Sequence, residues 1–254
     1  PRPLPRLTYT EAMERYGSDK PDTRFAMEIL DLTEAVRGCG FGVFDSAVEG
    51  GGTVRAITAK NAVSTLTRKE VDKLTEFVRG IGAKGLAWVR WTADGVASSF
   101  GKFLTEEAMQ ALLSAAQAEP GDVVLIVADT VKKHVLTPLG ALRLEVADRL
   151  QPPREGFHLL WITEMPFFEW DEELGQYVAM HHPFTAPIDE CIPYLDSQPD
   201  KVFAKAYDLV LNGIELASGS IRITDPELQG RMFRALGLSD EEAHEKFGFL
   251  TDAF

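Results

Sequence analysis

Five side chains in the last third of the chain have types and spacings that could do chemistry: His181, His182, Asp208, Glu215 and Arg222. In AYDLVLNGIELASGSIRI, residues 206–223, Asn212-Gly213 is the pair favoured for a two-residue type I′ hairpin, because both positions take φ above zero. That turn pairs Leu211 with Ile214, Val210 with Glu215 and Asp208 with Ala217. Asp208 and Glu215 then become diagonal neighbours on one strand face, about 7–8 Å apart by Cα. Two carboxylates aimed at one point suit Mg²⁺, which is commonly held by one or two carboxylates together with substrate phosphates. The same residues would serve equally as solvated charges at a sheet edge. Arg222 follows Glu215 by seven residues, an odd spacing that separates them onto opposite faces of a regular strand. A bulge in the small-residue run Ala217-Ser218-Gly219-Ser220 inserts one residue and returns Arg222 to the face of the carboxylates. A guanidinium there offers a bidentate grip on a substrate carboxylate that lysine does not reproduce.

The two histidines lie in YVAMHHPFTAP, residues 177–187. Neighbours on a strand point to opposite faces, so the pair chelates one ion only if the strand ends there, and Pro183 is a reason for it to end. A buried, hydrogen-bonded structural histidine is the competing reading, and zinc is disfavoured because neither Cys39 nor Cys191 is near in sequence. No Gly-x-Ser-x-Gly elbow or Cys-His neighbourhood supplies a nucleophile. Gly80-Ile81-Gly82-Ala83-Lys84-Gly85 matches GxGxxG in letters, but it follows a helix and precedes a strand, the reverse of a phosphate loop, so it reads as a helix C-cap and turn. Gly38-Cys39-Gly40-Phe41-Gly42 has no Lys-Ser/Thr after it and reads as a loop into a strand.

The elements that must position these residues follow from periodicity. TYTEAMERYG is a short helix with Thr10 as a cap and Gly17 as a stop. TVRAITAKN is a strand, Thr67-Arg68-Lys69-Glu70 is a capping box opening a helix through Val71, Leu74, Phe77 and Val78, and GLAWVRWTADG is a strand. TEEAMQALLSAAQAEPGD is a helix, DVVLIVAD a buried strand, and Thr137-Pro138 starts a helix with proline at its first position. This run of about 120 residues has the size of one α+β domain. Gln151-Pro152-Pro153-Arg154-Glu155-Gly156 is a linker, after which FHLLWITEMPFFEW, QYVAMHHPF and the 206–223 hairpin are strands, closed by helices at PELQGRMFRALG and DEEAHEKFGFLTDAF. The expected fold class is α+β.

With 254 residues, 45% hydrophobic and 26% charged, the composition is that of a globular protein. No apolar run approaches the ~18 residues of a membrane span, and two cysteines make no disulfide framework, which suits a reducing cytoplasm. The start, PRPLPRLTYTEA, has neither an initiator methionine nor the plan of a signal peptide and reads as the interior of a longer chain. A formal charge of −13 argues against nonspecific coating of nucleic acid. The charge is uneven: from Val54 to Lys102 nine Lys or Arg face four Asp or Glu, whereas from Gln151 to Phe254 there are seven against nineteen. The basic stretch raises a second reading, a module that binds nucleic acid or a partner protein, against the commoner reading of a solvated face.

LTYTEAMERYGSDKPDTRF, GAKGLAW, LGALRLEVADRL, FFEWDEELGQYVAMHHPFTAP, AYDLVLNGIELASGSIRI and EKFGFL, in this order, resemble the bacterial form of aspartyl-tRNA synthetase, a class II aminoacyl-tRNA synthetase, essentially end to end. The resemblance implies that residues 1–30 follow motif 2 of the catalytic domain. It implies that residues 31–150 form the bacterial insertion, the GAD domain also found in an aminoacyl-tRNA amidotransferase subunit, and that residues 151–254 return to the catalytic antiparallel sheet ahead of motif 3. It further implies aspartate, ATP with Mg²⁺ and tRNA as ligands, and a cytoplasmic homodimer as the parent enzyme. By resemblance His181 is the leading contact of the aspartate pocket with His182 its neighbour, Glu215 meets ATP through Mg²⁺ with Asp208 beside it, and Arg222 holds the side-chain carboxylate of aspartate. In two respects the chain departs from the family: Ala217-Ser218 stand where glycines are usual, which narrows the pocket floor, and the anticodon-binding barrel, the motif 2 arginine and motif 3 do not occur. The resemblance therefore implies a fragment that does not activate aspartate alone.

Overall fold

A computed structural model describes residues 3–171 and 173–251. In chain order the elements are β1 (Arg6–Thr8), α1 (Tyr9–Tyr16), β2 (Leu30–Asp31), α2 (Gly42–Glu49), β3 (Thr53–Ala59), α3 (Arg68–Arg79), β4 (Ala87–Thr92), β5 (Gly95–Ser98), α4 (Glu106–Ala115), β6 (Val123–Asp129), α5 (Lys133–Leu150), β7 (Leu159–Pro166), β8 (Phe168–Asp171), β9 (Gln176–Ala179), β10 (Phe203–Leu211), β11 (Ile214–Ser220), α6 (Pro226–Ala235) and α7 (Asp240–Thr251). Residues 252–254 of the expected last helix lie outside the described residues. Among the described residues no helix is long and apolar enough to cross a membrane.

Compactness divides the chain between Thr10 and Glu11 and between His158 and Leu159. The sequence places those boundaries at 30/31 and 150/151. Residues 17–29 join the inserted unit because buried Arg143 of α5 donates to the carbonyls of Asp22, Phe25 and Met27.

The inserted unit holds an antiparallel sheet of order β2-β3-β6-β4-β5. Alternation sorts its strands between two helical layers. Ile57, Ala59, Leu125 and Val127 meet α3 and α5 through Leu74, Val78, Leu139 and Val146. Val54, Ala56, Val124 and Ile126 meet α2 and α4 through Phe44 and Leu112. DVVLIVAD is continuously apolar because β6 is covered on both faces. The Thr67 cap accepts from the Glu70 amide and Thr105 caps α4 in the same way.

Four local expectations are corrected. The glycine cluster at 38–42 leads into helix α2, not a strand: Phe44, Ala47 and Val48 at i, i+3 and i+4 bury one helical face, and Phe41 meets Phe44 edge to face at 4.9 Å and stacks on Phe100 at 5.3 Å. GLAWVRWTADG is not one strand but the first strand and turn of the β4–β5 hairpin. Thr10 lies inside α1, which begins at Tyr9. α5 begins at Lys133, so Pro138 stands inside it. The proline forfeits one bond to the His134 carbonyl, and burial of Val135 and Leu136 in the same core as Leu139 and Leu142 outweighs that loss.

The second unit carries a sheet of order β1-β7-β10-β11, parallel at β1–β7 and antiparallel elsewhere. Beside it lie the hairpin β8–β9 and the helices α6 and α7, joined through Phe184, Phe233 and Phe247 with ring centroids 5.3–6.1 Å apart.

Candidate functional site

The β10–β11 hairpin turns at Asn212 (φ 53°) and Gly213 (φ 88°), the two positive dihedrals that a type I′ turn requires. Leu211 pairs with Ile214 and Val210 with Glu215, as the turn dictates. The register then shifts by one residue: Leu209 faces Ala217, and Asp208 faces Ser218 rather than Ala217. The extra residue is thus Leu216, directly after Glu215 and earlier than the small-residue run expected to hold it. That run serves a different contact. The ring of Tyr207 lies against Gly219, where a Cβ would come within 2.8 Å of ring atoms, so glycine is needed for cross-strand packing.

The consequence for the site is the expected one. Residues directly opposite share a face, so Asp208, Glu215, Ser218 and Ser220 project from the same side of the hairpin, with Asp208 diagonal to Glu215. Arg222, two residues past Ser220, belongs to that side: its Nη1 donates to the Ser220 hydroxyl. Ser218 is on the acid face, and Ala217 is on the opposite face with Leu209.

The loop after β9 brings the histidines to this side. β9 ends at Ala179, and the chain from Phe184 to Ala186 then runs antiparallel to residues 221–223. The Ile223 amide donates to Phe184 O at 2.9 Å and the Ala186 amide to Ile221 O at 2.8 Å. Thr185, fully buried, reaches the Ser220 hydroxyl at 3.3 Å. This pairing sets His182 against Arg222, Nε2 to Nη1. Of the two histidines it is His182 that meets the arginine. Ser220 and Thr185 complete the cluster and were not singled out from sequence, although the i, i−2 relation of Ser220 to Arg222 was a usable signal.

The two imidazoles have different surroundings. His182 Nδ1 accepts from the Phe184 amide at 3.2 Å while Nε2 faces the guanidinium. A neutral imidazole offers one lone pair, so it cannot accept from both donors. Burial first, and the Arg222 charge second, push the His182 pKa down, which keeps the ring neutral. His181 is half-buried beside Phe167, with ring centroids 6.2 Å apart. Burial, then His182, push its pKa down against a bond to the Pro166 backbone, and its Nε2 is buried without a hydrogen-bond partner. The site thus presents an arginine in need of an anion, a histidine with one donor too many, and a buried histidine nitrogen in need of a partner.

The basic excess between Val54 and Lys102 has another disposition. Arg55, Lys60, Arg68, Lys73, Arg79 and Lys84 are each ion-paired inside the inserted unit, and Arg90 donates to the carbonyls of Val63 and Leu66.

Compared with known sequences, residues 1–254 match the profile described as tRNA synthetases class II (D, K and N). The chain belongs to the class II tRNA synthetases. A protein named aspartate–tRNA(Asp/Asn) ligase from Anoxybacillus flavithermus is 52% identical over 253 residues, which are 99% of this chain and 43% of that protein. Its namesake from Bacillus cereus strain AH187 is 53% identical with the same coverage. This synthetase chain therefore spans less than half the length of these curated relatives. Its mixed α and β architecture, with antiparallel sheets and flanking helices, agrees with that family.

Proposed function

We propose that in the whole protein this region forms part of the catalytic centre of an aspartate–tRNA ligase, which joins aspartate to ATP as aspartyl-adenylate and passes the aspartyl group to tRNA. The carrying observation is the convergence of Arg222, Ser220 and His182 on the hairpin face that bears Asp208 and Glu215. Arg222 takes the side-chain carboxylate of aspartate in a bidentate pair. That anion also relieves His182, because once the guanidinium turns to the carboxylate, Nε2–H becomes a donor to the substrate while Nδ1 keeps the Phe184 amide. His181 lines the same pocket. Discrimination follows: a neutral side chain forgoes the bidentate, charge-assisted pair with the guanidinium.

The α-carboxylate of aspartate attacks the α-phosphorus of ATP, an O–P bond forms, and pyrophosphate leaves. Nothing in this requires a protein nucleophile, and positioning and charge account for the acceleration. Asp208 and Glu215 fit Mg²⁺ as two carboxylates on one face, the number the ion takes when phosphates fill its remaining positions. When bound, the ion neutralises phosphate charge. The acceptors we propose are tRNA(Asp) and tRNA(Asn), after the names of the relatives. The test is Glu215→Gln and Asp208→Asn in the whole-length protein: the Mg²⁺ concentration needed for adenylate formation rises while aspartate affinity is unchanged. An unaltered Mg²⁺ requirement in both variants would refute the assignment of the acids.

A further inference from the structure

The inserted unit contains a cavity of about 580 Å³, of the size that holds small molecules and remote in sequence from the residues discussed above. It opens where the sheet is incomplete. β4 begins at Ala87 opposite Ile126, so β6 runs on past its neighbour to Asp129 and leaves a gap beside its end. α2 closes the gap from one face and the end of α3 from the other. Phe44, Ala47, Leu86 and Ile126 make its wall apolar.

Asp129 stands at the end of that wall with a side chain only 2% exposed. Its Oδ1 accepts from the Val131 amide at 2.9 Å and the Thr130 hydroxyl at 3.3 Å, with His134 Nδ1 3.8 Å away. Its Oδ2 meets Lys84 Nζ at 2.9 Å, and that lysine side chain is 76% exposed. The backbone is clamped, since a Cβ on Gly52 would lie 2.1 Å from the Asp129 carbonyl oxygen. A fixed, buried carboxylate oxygen is thus compensated only by a mobile surface ammonium, a pairing of small worth.

We propose that this cavity binds a small organic cation, a protonated amine or amidinium on an apolar body, with Asp129 Oδ2 as its anchor. The body covers the Phe44 and Ile126 wall, the charged end aligns with Oδ2, and Lys84 moves out to solvent. An anion is the poorer fit, because it would face the buried Asp129 carboxylate.

The experiment titrates benzamidine, phenethylammonium and, as the ring of opposite charge, phenylacetate into the 254-residue chain, followed by calorimetry and by the amide resonances of Phe44, Leu86 and Ala128. The two cations bind and shift those resonances, and phenylacetate does not. Lys84→Met removes the competitor and tightens the cations about two- to fivefold, the worth of an exposed ion pair. Asp129→Asn, checked for folding by circular dichroism, abolishes binding; if it does not fold, Lys84→Met decides alone. Preference for phenylacetate, weaker cation binding in Lys84→Met, or cations that leave the three resonances unmoved would each overturn the proposal.

Discussion

Replacing Arg143 by methionine removes the side chain that ties residues 17–29 to α5. The arginine is 1% exposed, donates to Asp22 O, Phe25 O and Met27 O at 2.8–3.0 Å, and lies 4.1 Å over the Phe25 ring and 5.0 Å over that of Tyr16. Burial pushes its pKa down to about 10 against the pull of Tyr16, Asp22 and Glu28, so it remains charged at neutral pH. Methionine keeps the apolar volume but leaves three carbonyls facing it, each worth roughly 1–3 kcal/mol when buried without a donor. Relief from burying a charge offsets part of this, giving a net loss of about 3–5 kcal/mol. For a unit of this size that is a fall in Tm of ~10 °C. Differential scanning calorimetry of the 254-residue chain measures it, and hydrogen exchange shows protection lost at 17–29 before the β3–β6 core. A loss below about 1 kcal/mol, or exchange that speeds uniformly, would refute the view that one guanidinium organises this segment.

Other outcomes follow from the same geometry. Gly219→Ala forces the Tyr207 ring aside and costs about 1–3 kcal/mol; Tyr207→Ala in the same chain recovers most of it, and strictly additive losses by urea titration would contradict the contact. Glu28 is held below the usual carboxylate range first by its bond to Arg15, so the stability it contributes is present above the ordinary value of 4.5 and is lost as pH falls through the lower folded value. Glu28→Gln should flatten that acid limb of a Tm-against-pH curve, and an unchanged limb counts against the pairing. Both histidines should titrate below 6.5 by NMR, and Arg222→Ala should move His182 up; an immobile His182 would mean the two side chains do not meet in solution. Because the chain spans 43% of its relatives' length, it should support no aspartate-dependent exchange between ATP and pyrophosphate alone, and activity above background would overturn that expectation.

The hairpin was legible because its cause is local: Asn212-Gly213 sets the turn, and alternation carries Asp208 and Glu215 to one side. The bulge was legible as a necessity but not in place, because its position depends on Tyr207 packing across the strand pair onto Gly219. Helix α2 escaped notice because its glycine-rich entry hides an i, i+3, i+4 face that becomes meaningful only against Phe100 and Leu112. The choice of His182 over His181 as the neighbour of Arg222 was set by backbone pairing of residues 184–186 with 221–223, a long-range contact without periodicity. The attachment of residues 22–27 to α5 likewise rests on Arg143, which reads in sequence as an ordinary helical arginine.

Arg222 is the proposed anchor of the aspartate side chain, and titration calorimetry of the whole-length protein and its Arg222→Ala variant with L-aspartate and with ATP tests that role most directly. The variant is predicted to lose about 30-fold in aspartate affinity, the cost of removing a bidentate, charge-assisted hydrogen-bonding partner, while ATP affinity stays within about threefold. Equal losses for both ligands, or aspartate affinity that survives the substitution, would contradict it.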